Sequence, residues 1–112
     1  MNKRTILLDL DGVLNKYIGN YNKNNIPEIQ DGAFNFLQEL SQEYKIKIFT
    51  TRNKLAVAKW IIENKLFDFI DDITNVKELS WLYIDDRCIR FDGDYNKLLL
   101  EIKNFKPWFE KL

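Results

Sequence analysis

Hydrophobic and polar positions change period several times along this chain, and each change marks an element. Residues 4–10, RTILLDL, form a short apolar run between polar flanks and predict a buried strand that ends at the Asp11-Gly12 turn signal. Residues 15–30 lose the pattern. They are polar and asparagine-rich, carry Gly19 and Pro27, and read as a loop or small flap. A helical period begins at Asp31, a good N-cap, and is expected to run to about Tyr44, with Phe34, Leu37, Leu40 and Tyr44 as its buried stripe. KIKIFT at 45–50 alternates with period two and predicts a strand. Residues 54–66 are helical again, with Leu55, Ala58, Ile61, Ile62 and Leu66 expected inward. WLYID at 81–85 predicts another strand, and 89–91 a short extended piece before the Asp92-Gly93 bend. A last helix is expected from about Tyr95 to Lys106, with Leu98, Leu99, Ile102 and Phe105 apolar and Pro107 ending it.

Strands and helices therefore alternate. That order predicts an α/β fold, a mainly parallel sheet covered by helices on both faces. At 112 residues the chain has the size of one domain, expected to span 1–112. In such sheets ligands bind beyond the carboxyl ends of the strands. Three of the predicted strands end in reactive residues: Asp9-Leu10-Asp11, Thr50-Thr51-Arg52 and Asp85-Asp86-Arg87.

Composition narrows the chemistry. Lys plus Arg and Asp plus Glu number 17 each, so bulk charge gives no nucleic-acid signal. No apolar run is long enough to span a bilayer, and the N-terminal apolar stretch is broken at Asp9, so the expected location is the cytoplasm. The single cysteine, Cys88, has no intramolecular partner and reads as a small packing residue. Trp60, Trp81 and Trp108 read as core or core-edge residues. There is no histidine, which removes the usual general base, zinc ligand and triad partner. Catalysis must then rest on carboxylates, hydroxyls, lysine or a metal.

Asp9 and Asp11 lie two apart and can both reach one pocket. With Asp85 and Asp86 at a neighbouring strand end, the carboxylates would repel one another unless a hard cation joined them. Oxygen donors without histidine point to Mg²⁺. Thr50 could donate a hydrogen bond to a phosphate oxygen and Lys77 could supply positive charge. Thr51 is the neighbouring hydroxyl, and Arg52 and Arg87 are candidates for phosphate contact or for surface ion pairs. Asp71-Asp72 is a rival acidic pair, read as a solvated turn or helix cap.

These residues resemble the four motifs of the haloacid dehalogenase superfamily, in its order. DLDGVL at 9–14 is similar to motif I, IFTTR at 48–52 to motif II, Lys77 to the motif III lysine, and YIDDR at 83–87 to motif IV. Two features depart from the pattern: Glu78 stands after Lys77, where many relatives of the compact subgroup carry proline, and the chain has no room for a cap domain, so only residues 15–30 could partly cover the site. The resemblance covers roughly residues 5–95 and implies a Rossmann-like three-layer α/β/α sandwich with minimal or no cap. It implies a Mg²⁺-dependent phosphomonoesterase acting on a phosphorylated substrate of unspecified class. Asp9 would form an aspartyl-phosphate and Asp11 would act as general acid and base. Asp9, Asp85, Asp86 and the Asp11 carbonyl would surround the metal, and Thr50 and Lys77 would hold the phosphoryl group. Two other readings share the fold: a phospho-accepting receiver domain and a catalytically silent binding module. A receiver carries its adjacent acidic pair after the first strand and its phospho-acceptor on a middle strand, the reverse of the order here.

Overall fold

The computed structural model describes residues 3–111, so the ends of the expected 1–112 domain lie outside the described residues. Four parallel strands form one sheet in the order β3-β2-β1-β4: β1 Arg4–Asp9, β2 Tyr44–Phe49, β3 Asp72–Thr74 and β4 Leu82–Ile84. Three α-helices accompany them: α1 Ala33–Leu40, α2 Lys54–Glu63 and α3 Tyr95–Asn104. This is a Rossmann-like α/β fold, with the parallel sheet that the alternating pattern predicted.

β1 is central because its sequence suits burial on both faces. Ile6, Leu7 and Leu8 are all buried, which matches a continuous apolar run rather than an alternating one. β2 alternates instead. Ile46 and Ile48 are fully buried, while Lys47 turns to the other face and pairs with Glu78 at 2.9 Å. Residue-by-residue pairing puts Leu8 opposite both Ile48 and Ile84. The face carrying Leu8, Ile46 and Ile48 forms one core with Leu37 of α1 and with Val57, Trp60 and Ile61 of α2. Burying a side chain such as Leu37 contributes about 2 kcal/mol.

The helices differ in detail from their sequence expectation. α1 starts at Ala33 behind Gly32, and no side chain caps it. Asp31 faces Lys16 instead, at 3.4 Å. The chain turns at 41–43, so Tyr44 belongs to β2 and stacks on Trp81. In α2 the inward residues are Val57, Trp60 and Ile61, with Leu66 just beyond, while Leu55 and Ile62 are exposed. Asn53 caps α2 by accepting the Ala56 N–H and fixes where the helix starts.

β3 is the strand missed by the hydrophobic pattern. Asp72-Ile73-Thr74 lacks an apolar run, yet it pairs with Lys47, Ile48 and Phe49. Asp72 thus opens an edge strand rather than lying in a turn or helix cap, Asp71 precedes that strand, and both residues are exposed as expected. Residues 89–91 form no strand. In α3 none of the ten residues is buried, and Leu99 and Ile102 stay more than half exposed. Asp94 caps α3 through the N–H groups of Asn96 and Lys97, so local sequence, not core packing, defines this helix.

Candidate functional site

The site begins with how the chain leaves β1. Leu10 and Leu14 are both fully buried and anchor the turn from below. The Leu14 N–H reaches the Leu10 carbonyl at 3.0 Å, closing a tight loop over residues 10–14. That loop needs Gly12 twice over. Its φ is +85°, and a Cβ there would collide with the Asp86 carboxylate. Buried Asn15 holds the loop from within. Its Oδ1 accepts the Gly12 and Tyr17 N–H groups, and its Nδ2 donates to Asp11 Oδ1 at 2.9 Å.

Asp9 ends β1, and the 85–86 pair follows β4 next to it. One carboxylate oxygen each from Asp9, Asp85 and Asp86 falls within 4.8 Å of the others. Three like charges this close disfavour their own ionisation. Burial, then the Asp85 and Asp86 charges, push the Asp9 carboxyl up to about 8. Asp86 also lies above the usual carboxylate range, through burial first and its contact with Asp85 next. Asp86 Oδ2 is buried without a hydrogen-bond partner. An orphaned, electron-rich oxygen beside two further carboxylates is what a hard cation satisfies, so this donor set fits a bound metal ion.

The expected residues divide into two groups around this centre. Lys77, Tyr83, Leu7 and Phe49 line a cleft of about 180 Å³ together with Asp9 and Asp85. The Lys77 ammonium lies 4.8 Å from the Tyr83 ring centroid. Thr50 follows Phe49, the register partner of Asp9, and is buried, with its Oγ1 accepting the Arg52 N–H at 3.1 Å. Thr51 is exposed and lines a separate hollow with Thr50, Arg52 and Asn53.

Asp11 does not join the acidic cluster. Its carboxylate receives the Arg52 Nε–H on both oxygens, at 3.1 and 2.9 Å. Arg52 is therefore a buried ion-pair residue rather than a surface one, its side chain being 2% exposed. Arg87 is exposed, and its backbone N–H donates to Asp85 Oδ1 at 2.9 Å. Cys88 is exposed rather than packed, on the rim of the cleft. A wider groove of about 840 Å³ begins at Cys88 and runs between residues 89–92 and α3.

Two contributors escaped the sequence reading. Asn15 looked like one more asparagine in a polar loop. Its signal was its place four residues after Asp11, within reach of a tight turn. Trp108 donates its indole N–H to the Gly12 carbonyl at 3.1 Å across 96 residues of chain, and no local pattern carries that information.

Fold and site together define a Rossmann-like α/β protein with an acidic cluster, able to hold a metal ion, at the carboxyl edge of a parallel sheet. No family model matches the chain. No curated protein matches it either. The chain is similar in fold to a solved structure described as a conserved protein from Bacteroides thetaiotaomicron. The TM-score is 0.60 and the identity 22%, over 96% of this chain and 95% of that one. No helix among the described residues is long and apolar enough to cross a membrane.

Proposed function

We propose that this protein is a Mg²⁺-dependent phosphohydrolase of the haloacid dehalogenase type, with Asp9 as its nucleophile. The observation that carries the reading is the convergence of Asp9 with Asp85 and Asp86 at one strand edge, beside a cleft that also holds Lys77. The four motif-like segments, in their order, support the family assignment.

Asp9, Asp85 and Asp86 would hold the cation, with the Asp11 carbonyl as a further oxygen. When bound, Mg²⁺ offsets the carboxylate charge and polarises a phosphate oxygen. Asp9 then stays ionised and can approach an anionic phosphate. Its oxygen attacks phosphorus in line, a P–O bond to Asp9 forms, and the bond to the leaving oxygen breaks. Asp11, after taking up a proton from solvent, passes that proton to the leaving oxygen. Water next attacks the acyl phosphate, Asp11 takes a proton back, and inorganic phosphate leaves. The ion pair with Arg52 presents Asp11 as an acceptor, which suits this second step. Thr50 Oγ1 accepts from a backbone N–H, so its own O–H is free to donate to a phosphoryl oxygen. Lys77 adds a cation across the cleft from Asp9, worth on the order of 10²-fold in rate for a group of this kind.

The test is phosphate release from a panel of phosphate monoesters, with and without Mg²⁺. Release that requires the metal supports the reading. Asp9→Asn should lower turnover by on the order of 10³-fold or more while the fold is kept. An Asp9→Asn protein as active as the parent would end the proposal. A receiver-like domain would take up about one phosphoryl group per chain without turnover, so phosphate released per protein separates that reading.

A further inference from the structure

The Arg52 side chain is engaged by two separate parts of the chain, the loop at Asp11 and the tip of the 15–30 segment. Its Nε–H pairs with both Asp11 oxygens at 3.1 and 2.9 Å. Its Nη1 donates to the Asn22 carbonyl at 2.9 Å. Its guanidinium lies over the Tyr21 ring, 4.6 Å from the centroid. Its own backbone N–H is held by Thr50 Oγ1, so the side chain leaves from a fixed point at the end of β2. The side chain is 2% exposed, and Nη2 is buried with no partner.

A guanidinium taken out of water with one donor unmet is unfavourable unless its remaining contacts are strong. Here those contacts have one geometric result. The planar fork reaches Asp11 through one nitrogen and the 15–30 segment through another. A lysine carries the same charge but not that fork. The ends of the segment are held without Arg52: buried Asn15 bonds Asp11 and Gly12, the Gln30 N–H reaches the Leu14 carbonyl, the Trp60 indole donates to the Pro27 carbonyl, and Ile26 and Ile29 pack on the core. The tip differs. Tyr21 and residues 22–25 are exposed and contribute nothing to the core, and the bonds of Asn24 and Asn25 run only to Asn22. The tip of the segment is thus tied to the body of the protein through Arg52.

The geometry points to Arg52 as a positioning residue that aims the Asp11 carboxylate and, through Asn22 and Tyr21, latches the tip of the 15–30 segment beside it. The effect on turnover rests on the phosphohydrolase reading, whereas the latch itself does not. On this reading the tip that meets the leaving group and the carboxylate that serves it move as one unit, because one side chain holds both.

Backbone hydrogen exchange, read residue by residue alongside phosphate-release kinetics, tests this on the full chain as wild type, Arg52→Lys and Tyr21→Leu. Arg52→Lys should speed exchange at Asn24 and Asn25 by on the order of tenfold or more, with the Lys16, Tyr17, β1 and β2 amides unchanged. It should lower kcat by a similar factor and move KM little, since the substrate's phosphate is held elsewhere. Tyr21→Leu should speed exchange at Asn24 and Asn25 by a smaller factor. Unchanged exchange at Asn24 and Asn25, or equal acceleration in β1 and β2, would overturn the latch. A lower kcat with an equal change in KM would overturn the positioning role. If Arg52→Lys fails to fold, Tyr21→Leu decides: no acceleration at Asn24 and Asn25 refutes the latch. A wild type without phosphatase activity refutes the proposed function, while the exchange results still judge the latch.

Discussion

Asp9 is the residue where environment departs most from sequence. An aspartate at 3.8 in water is raised to about 8 by burial and by its two acidic neighbours. The sign of the consequence follows from linkage. The fold favours the protonated form, so stability from this group is fully present below the unfolded value. It is lost as pH rises through the folded value. Without divalent cations, the thermal midpoint should therefore fall between about pH 4 and pH 8. Asp9→Asn should flatten that slope, and Mg²⁺ should raise the midpoint more at pH 8 than at pH 5. Calorimetry across this range checks all three. Gly12 yields a second expectation at the same scale. Gly12→Ala forces an L-residue to positive φ and drives its methyl into Asp86. It should cost about 1–2 kcal/mol in denaturant unfolding and weaken Mg²⁺ binding measured by calorimetry.

At the scale of elements, legibility tracked burial. β1 and β2 were readable because their apolar residues follow strand periods and are buried as those periods require. α2 was readable in extent and only partly in phase. Ile61 and Leu66 are buried as expected, whereas Leu55 and Ile62, as apolar as Val57, are exposed, and residue type alone does not separate them. β3 was not readable at all, since three residues at a sheet edge need no apolar run. Phase gives a direct test. Leu37→Ala in α1 should lose about 2–5 kcal/mol. Leu55→Ala, at a position 81% exposed, should stay within about 0.5 kcal/mol. Urea unfolding of the two variants separates them.

For the whole molecule, the turn at 108–111 returns to the loop that follows β1. The Trp108 indole ties the C-terminal turn to the Gly12 carbonyl, and the Phe109 ring reaches Gly19. Trp108→Phe removes one donor from a part-buried carbonyl and should lower stability by about 1 kcal/mol in denaturant unfolding. The radius of gyration is 15.1 Å, against about 13 Å for a compact chain of this length. The difference has a visible source in α3, which buries none of its residues against the sheet. Its start near Tyr95 and its helical period were legible in the sequence. Its position was not, because capping fixes where a helix starts and ends but not what it packs on.

The sequence by itself determined the alternating α/β order, the parallel sheet and the residues that could carry chemistry, because periodicity and residue type are local properties. Only the tertiary structure decided how those residues divide. It drew Asp85 and Asp86 to Asp9, and it turned Asp11 away to Arg52. It also brought Asn15 and Trp108 to the Gly12 loop. Those pairings depend on which strand ends lie side by side and on which side chains reach across them, and neither is encoded in any short stretch of chain.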